Sequence, residues 1–305
     1  MREDARTAES SQAVAAPPAR TVALFEALPR DRTLIMGILN LTPDSFSDGG
    51  RHLHPGQGVD GAVRDALEMV AAGADLIDVG GESTRPGATP VDPEEERERI
   101  LEVIRHLAAE GVPVSVDTMH PSTARAALEA GAAVINDVSG LRLDEQMVEL
   151  VAETGVPYIL MHARGDASTM NDLACYADVV GEVCAELVGL RERLLAGGVH
   201  PGQIILDPGL GFAKLGAQDW QLLRGLDQLI RLGHPVLVGG SRKRFIGAAL
   251  EEAAGVPVPA DQRDVGTAVL SALAAQAGAW AVRVHDVAST RDALAIARRW
   301  GCAEL

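Results

Sequence analysis

Eight short apolar segments of this chain end in side chains capable of chemistry. They close on Asn40, Asp78, Asp117, Asn136 with Asp137, His162, Asp207, Ser241-Arg242-Lys243, and Arg283 with His285. A single Asp at a strand end is commonly a turn former or helix N-cap. Asn, Asp, His or a cation at six or more such ends exceeds what capping requires and points to one shared polar cavity. Asp207 suits paired hydrogen bonds to a planar ring edge bearing N–H donors. Asn136 can both donate and accept beside it, and Lys243 can donate to a ring carbonyl. The set describes a slot for a flat heterocycle.

A second group is cationic. Arg242, Lys243 and Arg244 follow the seventh segment. Arg283 and His285 end the eighth, just before a helix start that Ser289 or Thr290 can cap. The chain has 27 basic and 43 acidic residues, net −16, which argues against nucleic acid or an anionic membrane as partner. Cations gathered at two neighbouring strand ends of so acidic a chain suit a phosphate group, which barrels commonly bind there. The plainer reading, a solvated helix start paired with Glu251 and Glu252, leaves Arg283 and His285 unexplained. No Ser-His-Asp spacing or activated Cys is present, so the chemistry points to positioning and electrostatics.

The elements that must carry these residues repeat in a unit: helical pattern, glycine, apolar strand, polar end. Strands follow Gly73, Gly111, Gly131, Gly155, Gly198, Gly233 and Gly278, and Leu34–Asn40 makes the eighth. Continuous apolar runs mark strands buried on both faces of a parallel sheet, and each glycine stands where a helix C-cap needs a left-handed residue. The expectation is a (β/α)8 barrel over residues 21–305 behind a disordered tail, 1–20. Apolar residues at 47% with aromatics at 3% fit a core of branched aliphatics. Asp92-Pro93-Glu94-Glu95 has the form of a capping box, and Val179, Val183, Leu187, Leu190 and Leu194 make a core stripe. Two long connections, 41–57 and 81–92, are rich in Gly and Pro and read as mobile lids over the barrel mouth. Cys175, Cys184 and Cys302 form neither a disulfide framework nor a metal site. With no membrane-length apolar run and no signal segment, the expected location is the cytoplasm.

Several segments resemble dihydropteroate synthases. Met36–Gly50 (MGILNLTPDSFSDGG) and Val79–Gly87 (VGGESTRPG) are similar to the first two signatures. SVDT (115–118), INDVSG (135–140), DPGLGFAK (207–214), VGGSRKRFIG (238–247) and VRVHDV (282–287) follow in family order. Leu41, Gly240 and Ala163 depart from the usual residues without removing a reactive side chain. The resemblance implies a pterin-binding barrel that joins 6-hydroxymethyl-7,8-dihydropterin diphosphate to 4-aminobenzoate. It implies that Asp117, Asn136, Asp207 and Lys243 bind the pterin, and that Asn40, Arg283, Val284 and His285 meet the diphosphate end, with Asn40 a ligand to Mg²⁺. Asp117, Lys243, Arg283 and His285 become the catalytic set. Asp48, Thr84 and Arg85 come from the two long loops, and Phe46, Phe212 and the Lys243 stem line an aminobenzoate pocket rimmed by Arg244, where sulfonamides compete. A homodimer is implied too. The rivals are a methyltetrahydrofolate methyltransferase-like barrel, which has no diphosphate to hold, and a non-catalytic paralogue, which would be expected to lose Asp48, Thr84 or Arg85.

Overall fold

The computed structural model describes residues 19–42, 58–83, 87–89 and 91–301. Phe46, Asp48, Thr84, Arg85, Cys302 and tail residues 1–18 lie outside them, as do most of the loop read as a first lid and the tip of the second. Helix α1 (Ala19–Glu26) begins within the last two residues expected in the tail.

All seven glycines expected to end helices have positive φ, from 70° at Gly155 to 117° at Gly73. At Gly131 a Cβ would also stand 2.6 Å from that of Ala108, so both backbone and space require glycine there. The strands are β1 (Leu34–Asn40), β2 (Leu76–Gly80), β3 (Val114–Asp117), β4 (Val134–Asp137), β5 (Tyr158–Met161), β6 (Ile204–Asp207), β7 (Leu237–Val238) and β8 (Ala281–Val284). All pair in parallel in the order β6-β5-β4-β3-β2-β1-β8-β7, and a parallel bridge from Leu206 to Val236 joins the two ends. The sheet is therefore a closed (β/α)8 barrel.

The helices wrapped around it include α2 (Gly58–Ala72), α3 (Pro93–Ala109), α4 (Pro121–Ala130), α5 (Glu145–Thr154) and α6 (Val179–Ala196). After β6 come α7 (Ala217–Arg224), α8 (Leu226–Ile230), α9 (Arg244–Ala254), α10 (Asp264–Gln276) and α11 (Val287–Gly301). The five-residue stripe on α6 is buried. The capping box on α3 is only half formed: Asp92 accepts the Glu94 N–H, but Glu95 turns to Arg99 instead of reaching back. At α11 the cap is Asp286, which accepts from the Ser289 N–H, and not Ser289 or Thr290.

Although the strands read as unbroken apolar runs, their residues alternate between two cores. Leu34, Met36, Leu76, Val134, Ile159, Ile205, Leu237 and Ala281 fill the barrel lumen. Ile35, Ile77, Val79, Val114, Val116, Ile135, Leu206 and Val282 pack under the helices. Phe25 and Leu28 meet Trp280 below the lumen, with the Phe25 and Trp280 rings 6.2 Å apart. This parity decides which strand-end residues can share a cavity.

Candidate active site

Going up the lumen from its apolar floor, the same parity brings Asp78, Ser115, Asn136, Asp207 and Arg283 inward, then Asn40 and Asp117. The register sets Asn40 beside Gly80, Gly80 beside Asp117, and Asp117 beside Asn136, one row at the mouth. Arg283 crosses the lumen: its Nε donates to Asp78 Oδ2 at 2.5 Å and its Nη2 to Asp117 Oδ2 at 2.7 Å. Asn136 Nδ2 donates to the same Asp78 oxygen at 3.1 Å. Asp78 Oδ1 and Ser115 Oγ, on paired residues, are buried without a partner. Asp207 holds its loop by accepting the Gly209 N–H at 2.7 Å. Gly239 lies between Asp207 and Arg283, where a Cβ would stand 3.5 Å from Asp207 Oδ2; lacking one, it keeps that side of the lumen open. The Lys243 ammonium bonds the Leu210 carbonyl and lies 4.6 Å from the Phe212 ring centre.

Burial dominates the electrostatics. It pushes the Asp117 carboxyl up to about 7, with Arg283 pulling back and Asp78 and Glu96 adding to the rise. It also raises the Asp207 carboxyl, opposed by Lys243, and pushes the Lys243 ammonium down to about 8, opposed by Asp207. Buried titratable groups shifted this far from their usual range mark a candidate functional site.

The expected cation cluster is smaller than the sequence suggests. Arg242 has φ 58° and turns away to a two-pronged pair with Asp264, at 2.6 and 2.8 Å. Arg244 reaches Asn171 at 3.3 Å. His285 remains at the mouth. Ser241 Oγ accepts its backbone N–H at 3.1 Å and lies 2.9 Å from Nδ1. A serine proton given to Nδ1 would leave the ring proton on Nε2. The Val284 side chain is buried among the outer aliphatics, so only its backbone can serve a ligand. Asp137 and His162 also have outward parity: Asp137 bonds the Tyr158 hydroxyl at 2.6 Å, and His162 bonds Glu186 on α6 at 2.7 Å. Neither joins the cavity to which their position at strand ends assigned them.

A family model described as pterin binding enzyme matches residues 36–285. The dihydropteroate synthase of Mycobacterium leprae is 51% identical over 267 residues, covering 87% of this chain and 93% of that protein. The chain belongs to the dihydropteroate synthase family of pterin-binding enzymes. The Synechocystis member is 46% identical over 84% of this chain and 86% of its own length. Among solved structures, a Xanthomonas albilineans dihydropteroate synthase with 4-aminobenzoic acid superposes with TM-score 0.79 at 45% identity, covering 90% of this chain and 95% of that one. A Yersinia pestis dihydropteroate synthase in a sulfonamide drug complex gives TM-score 0.82 at 40% identity, covering 90% and 96%.

Against this family background, three features escape the sequence reading. Asp78 is more than a strand end: it anchors both Arg283 and Asn136, which the inward parity of β2 could have signalled. Ser241 orients His285, a contact between strands that no local spacing announces. The connection after β5 also matters, since residues 162–178 form turns without a helix. In it Ala167 accepts the Gly87 N–H from the second loop at 2.9 Å. That makes a third long connection at the mouth, beside the two expected.

Proposed function

We propose that this chain joins 6-hydroxymethyl-7,8-dihydropterin diphosphate to 4-aminobenzoate, giving 7,8-dihydropteroate and diphosphate. The observation that carries this reading is the set of lumen residues Asp117, Asn136 and Asp207 around Arg283, with Lys243 at the start of α9 beside Phe212, in a chain of this family. Asp207 and Asn136 meet the ring edge and Lys243 its carbonyl. The bond between the methylene carbon and the diphosphate oxygen breaks with its electron pair leaving on oxygen. The aminobenzoate nitrogen bonds to that carbon and sheds a proton to solvent. Asp117 faces the ring as positive charge develops, while His285 Nε2–H and Arg283 Nη1 are the donors placed for the leaving oxygens. Asn40, Val284, Phe212 and Arg244 complete the assignment from described residues, and Phe46, Asp48, Thr84 and Arg85 keep the roles the resemblance implies.

Magnesium fits one way only. Among the described residues no three His, Cys, Asp or Glu side chains gather as a metal site. Asn40 offers a single neutral oxygen, 3.7 Å from where a Cβ on Gly80 would stand. Such a donor suits an ion that arrives on the diphosphate and keeps most of its water; it would supply positive charge to the leaving group.

The deciding experiment is product analysis with both substrates and Mg²⁺. Dihydropteroate and diphosphate should form in equal amounts, each requiring aminobenzoate. Pterin binding without product would favour a non-catalytic barrel, and methyl transfer from methyltetrahydrofolate would favour the methyltransferase.

A homodimer has a surface available. Val265, Val269 and Leu273 lie four residues apart on α10 and are 73%, 55% and 57% exposed. Ile296 and Trp300 on α11, which packs against α10, are 71% and 84% exposed. Exposed aliphatics at that spacing form a continuous stripe. Sedimentation should give twice the chain mass for the wild type and the single-chain mass for Val269→Glu; a monomeric wild type would remove the dimer. Among the described residues no helix is long and apolar enough to cross a membrane, and cytoplasmic placement is part of the same reading.

A further inference from the structure

The loop leaving β6, residues 207–214, is gripped from behind by charges that the ring slot does not use. Lys214 is 2% exposed. Its ammonium donates to the Phe212 carbonyl at 2.8 Å, the Gly209 carbonyl at 3.0 Å and His162 Nδ1 at 2.8 Å. The His162 carbonyl at 3.3 Å is a fourth acceptor, so three hydrogens are shared among four acceptors. On the loop's other flank Asp219 accepts the Gly211 N–H at 2.7 Å. Because His162 Nδ1 accepts, its ring proton sits on Nε2 and goes to Glu186, 2.7 Å away. Burial beside the Lys214 charge keeps this imidazole neutral, pushed down to about 4.

Glu186 in turn binds Arg164, whose guanidinium donates to the Cys175 carbonyl at 2.8 Å and lies 3.9 Å over the Tyr176 ring. One hydrogen-bonded frame therefore ties the loop after β5 to the loop after β6. The conformation it holds is strained. Ala213 has φ 51°, and a Cβ on Gly209 would stand 1.9 Å from the His162 carbonyl oxygen. Backbone of this kind persists only where its surroundings over-determine it, and it clusters at functional sites. On the front of the loop Phe212 lies under the Lys243 ammonium, and Gly211 abuts the Lys243 stem, where a Cβ would come within 3.1 Å.

We propose that Lys214 and His162 are positioning residues for the second substrate: through the two loops they hold Phe212 and the Lys243 stem in place as the aminobenzoate wall. This rests on the dihydropteroate synthase reading above. Of the four pterin contacts, Asp117, Asn136 and Asp207 stand on β3, β4 and β6, and only Lys243 meets the frame, through its stem, so aminobenzoate binding should suffer more than pterin binding.

Lys214→Met keeps the stem and removes all three donors. It should raise the KM for aminobenzoate at least tenfold while the Kd of free hydroxymethyl pterin, by calorimetry, stays within threefold. His162→Leu should match it. His162→Gln, whose amide can accept from Lys214 and donate to Glu186, should stay within threefold of wild type in both quantities. An unchanged KM in Lys214→Met, or equal losses in KM and pterin Kd, would overturn the proposal. If Lys214→Met does not fold, the Leu and Gln variants at 162 decide by the same split, and misfolding of all three would reduce the frame to a structural role and overturn it as well. A wild type that makes no pteroate would fail the reaction reading instead, a result separate from any of these.

Discussion

Arg283→Ala is expected to abolish measurable turnover and to lower the stability of the fold by about 3–5 kcal/mol, the loss typical of breaking a buried ion pair from one side, with weaker pterin binding as a consequence. Arg283 neutralises two carboxylates that the fold has already desolvated, Asp78 with 0% and Asp117 with 8% of its surface exposed. Its removal leaves them facing each other in the lumen. The damage should extend to the free hydroxymethyl pterin as well as the diphosphate ester, since Nε and one Nη2 hydrogen are committed to the slot and the Nη1 pair with the second Nη2 hydrogen is left for phosphate. His285→Ala, by contrast, should weaken the diphosphate ester alone. Equal losses of the two ligands in His285→Ala, or none for free pterin in Arg283→Ala, would reverse these assignments.

The same substitution has a pH signature. The Asp117 carboxyl already sits above its unfolded value, so the folded state binds the extra proton, and stability falls as pH rises from the carboxylate range toward about 7. Without Arg283 the carboxyl moves further up and that window extends to higher pH. Thermal melts at pH 5.5, 7 and 8.5, all chosen values, should therefore show the variant's deficit growing with pH. A deficit independent of pH would mean that Asp117 is not the group left uncompensated.

Asp207→Asn should cost about 2–4 kcal/mol of pterin affinity, roughly 30- to 1,000-fold. The substitution is nearly isosteric, and an amide oxygen can still accept the Gly209 N–H that Asp207 Oδ1 holds at 2.7 Å, so the loop should stay in place. What changes is the other atom. Oδ2, an acceptor facing the open side by Gly239, becomes an NH₂ that meets the ring's N–H donors head-on, and Lys243 loses its counter-charge. Calorimetry of free hydroxymethyl pterin checks this, and unchanged affinity would mean that the ring edge binds elsewhere.

The barrel was legible from the chain because its signals are local. Glycines at seven helix ends, apolar runs after them and polar residues at the strand ends all depend on near neighbours in sequence, and the positive φ at each of those glycines is the physical reason they are glycine. The family motifs are local in the same way, which is why roles for Asp117, Asn136, Asp207 and Lys243 could be proposed from the sequence. What the sequence alone could not settle is direction and partnership. Whether a strand-end side chain enters the lumen or turns under a helix depends on its parity relative to the barrel. That parity separates Asp117 and Asp207, which face the lumen, from Asp137 and His162, which do not. Partnership depends on residues far apart in the chain: Arg242 is drawn off by Asp264, Arg283 is held by Asp78 and Asp117, and Lys214 is matched to His162. A buried charge must find its counterpart, and only the closed barrel, by bringing first and last strands side by side, determines which counterpart is within reach.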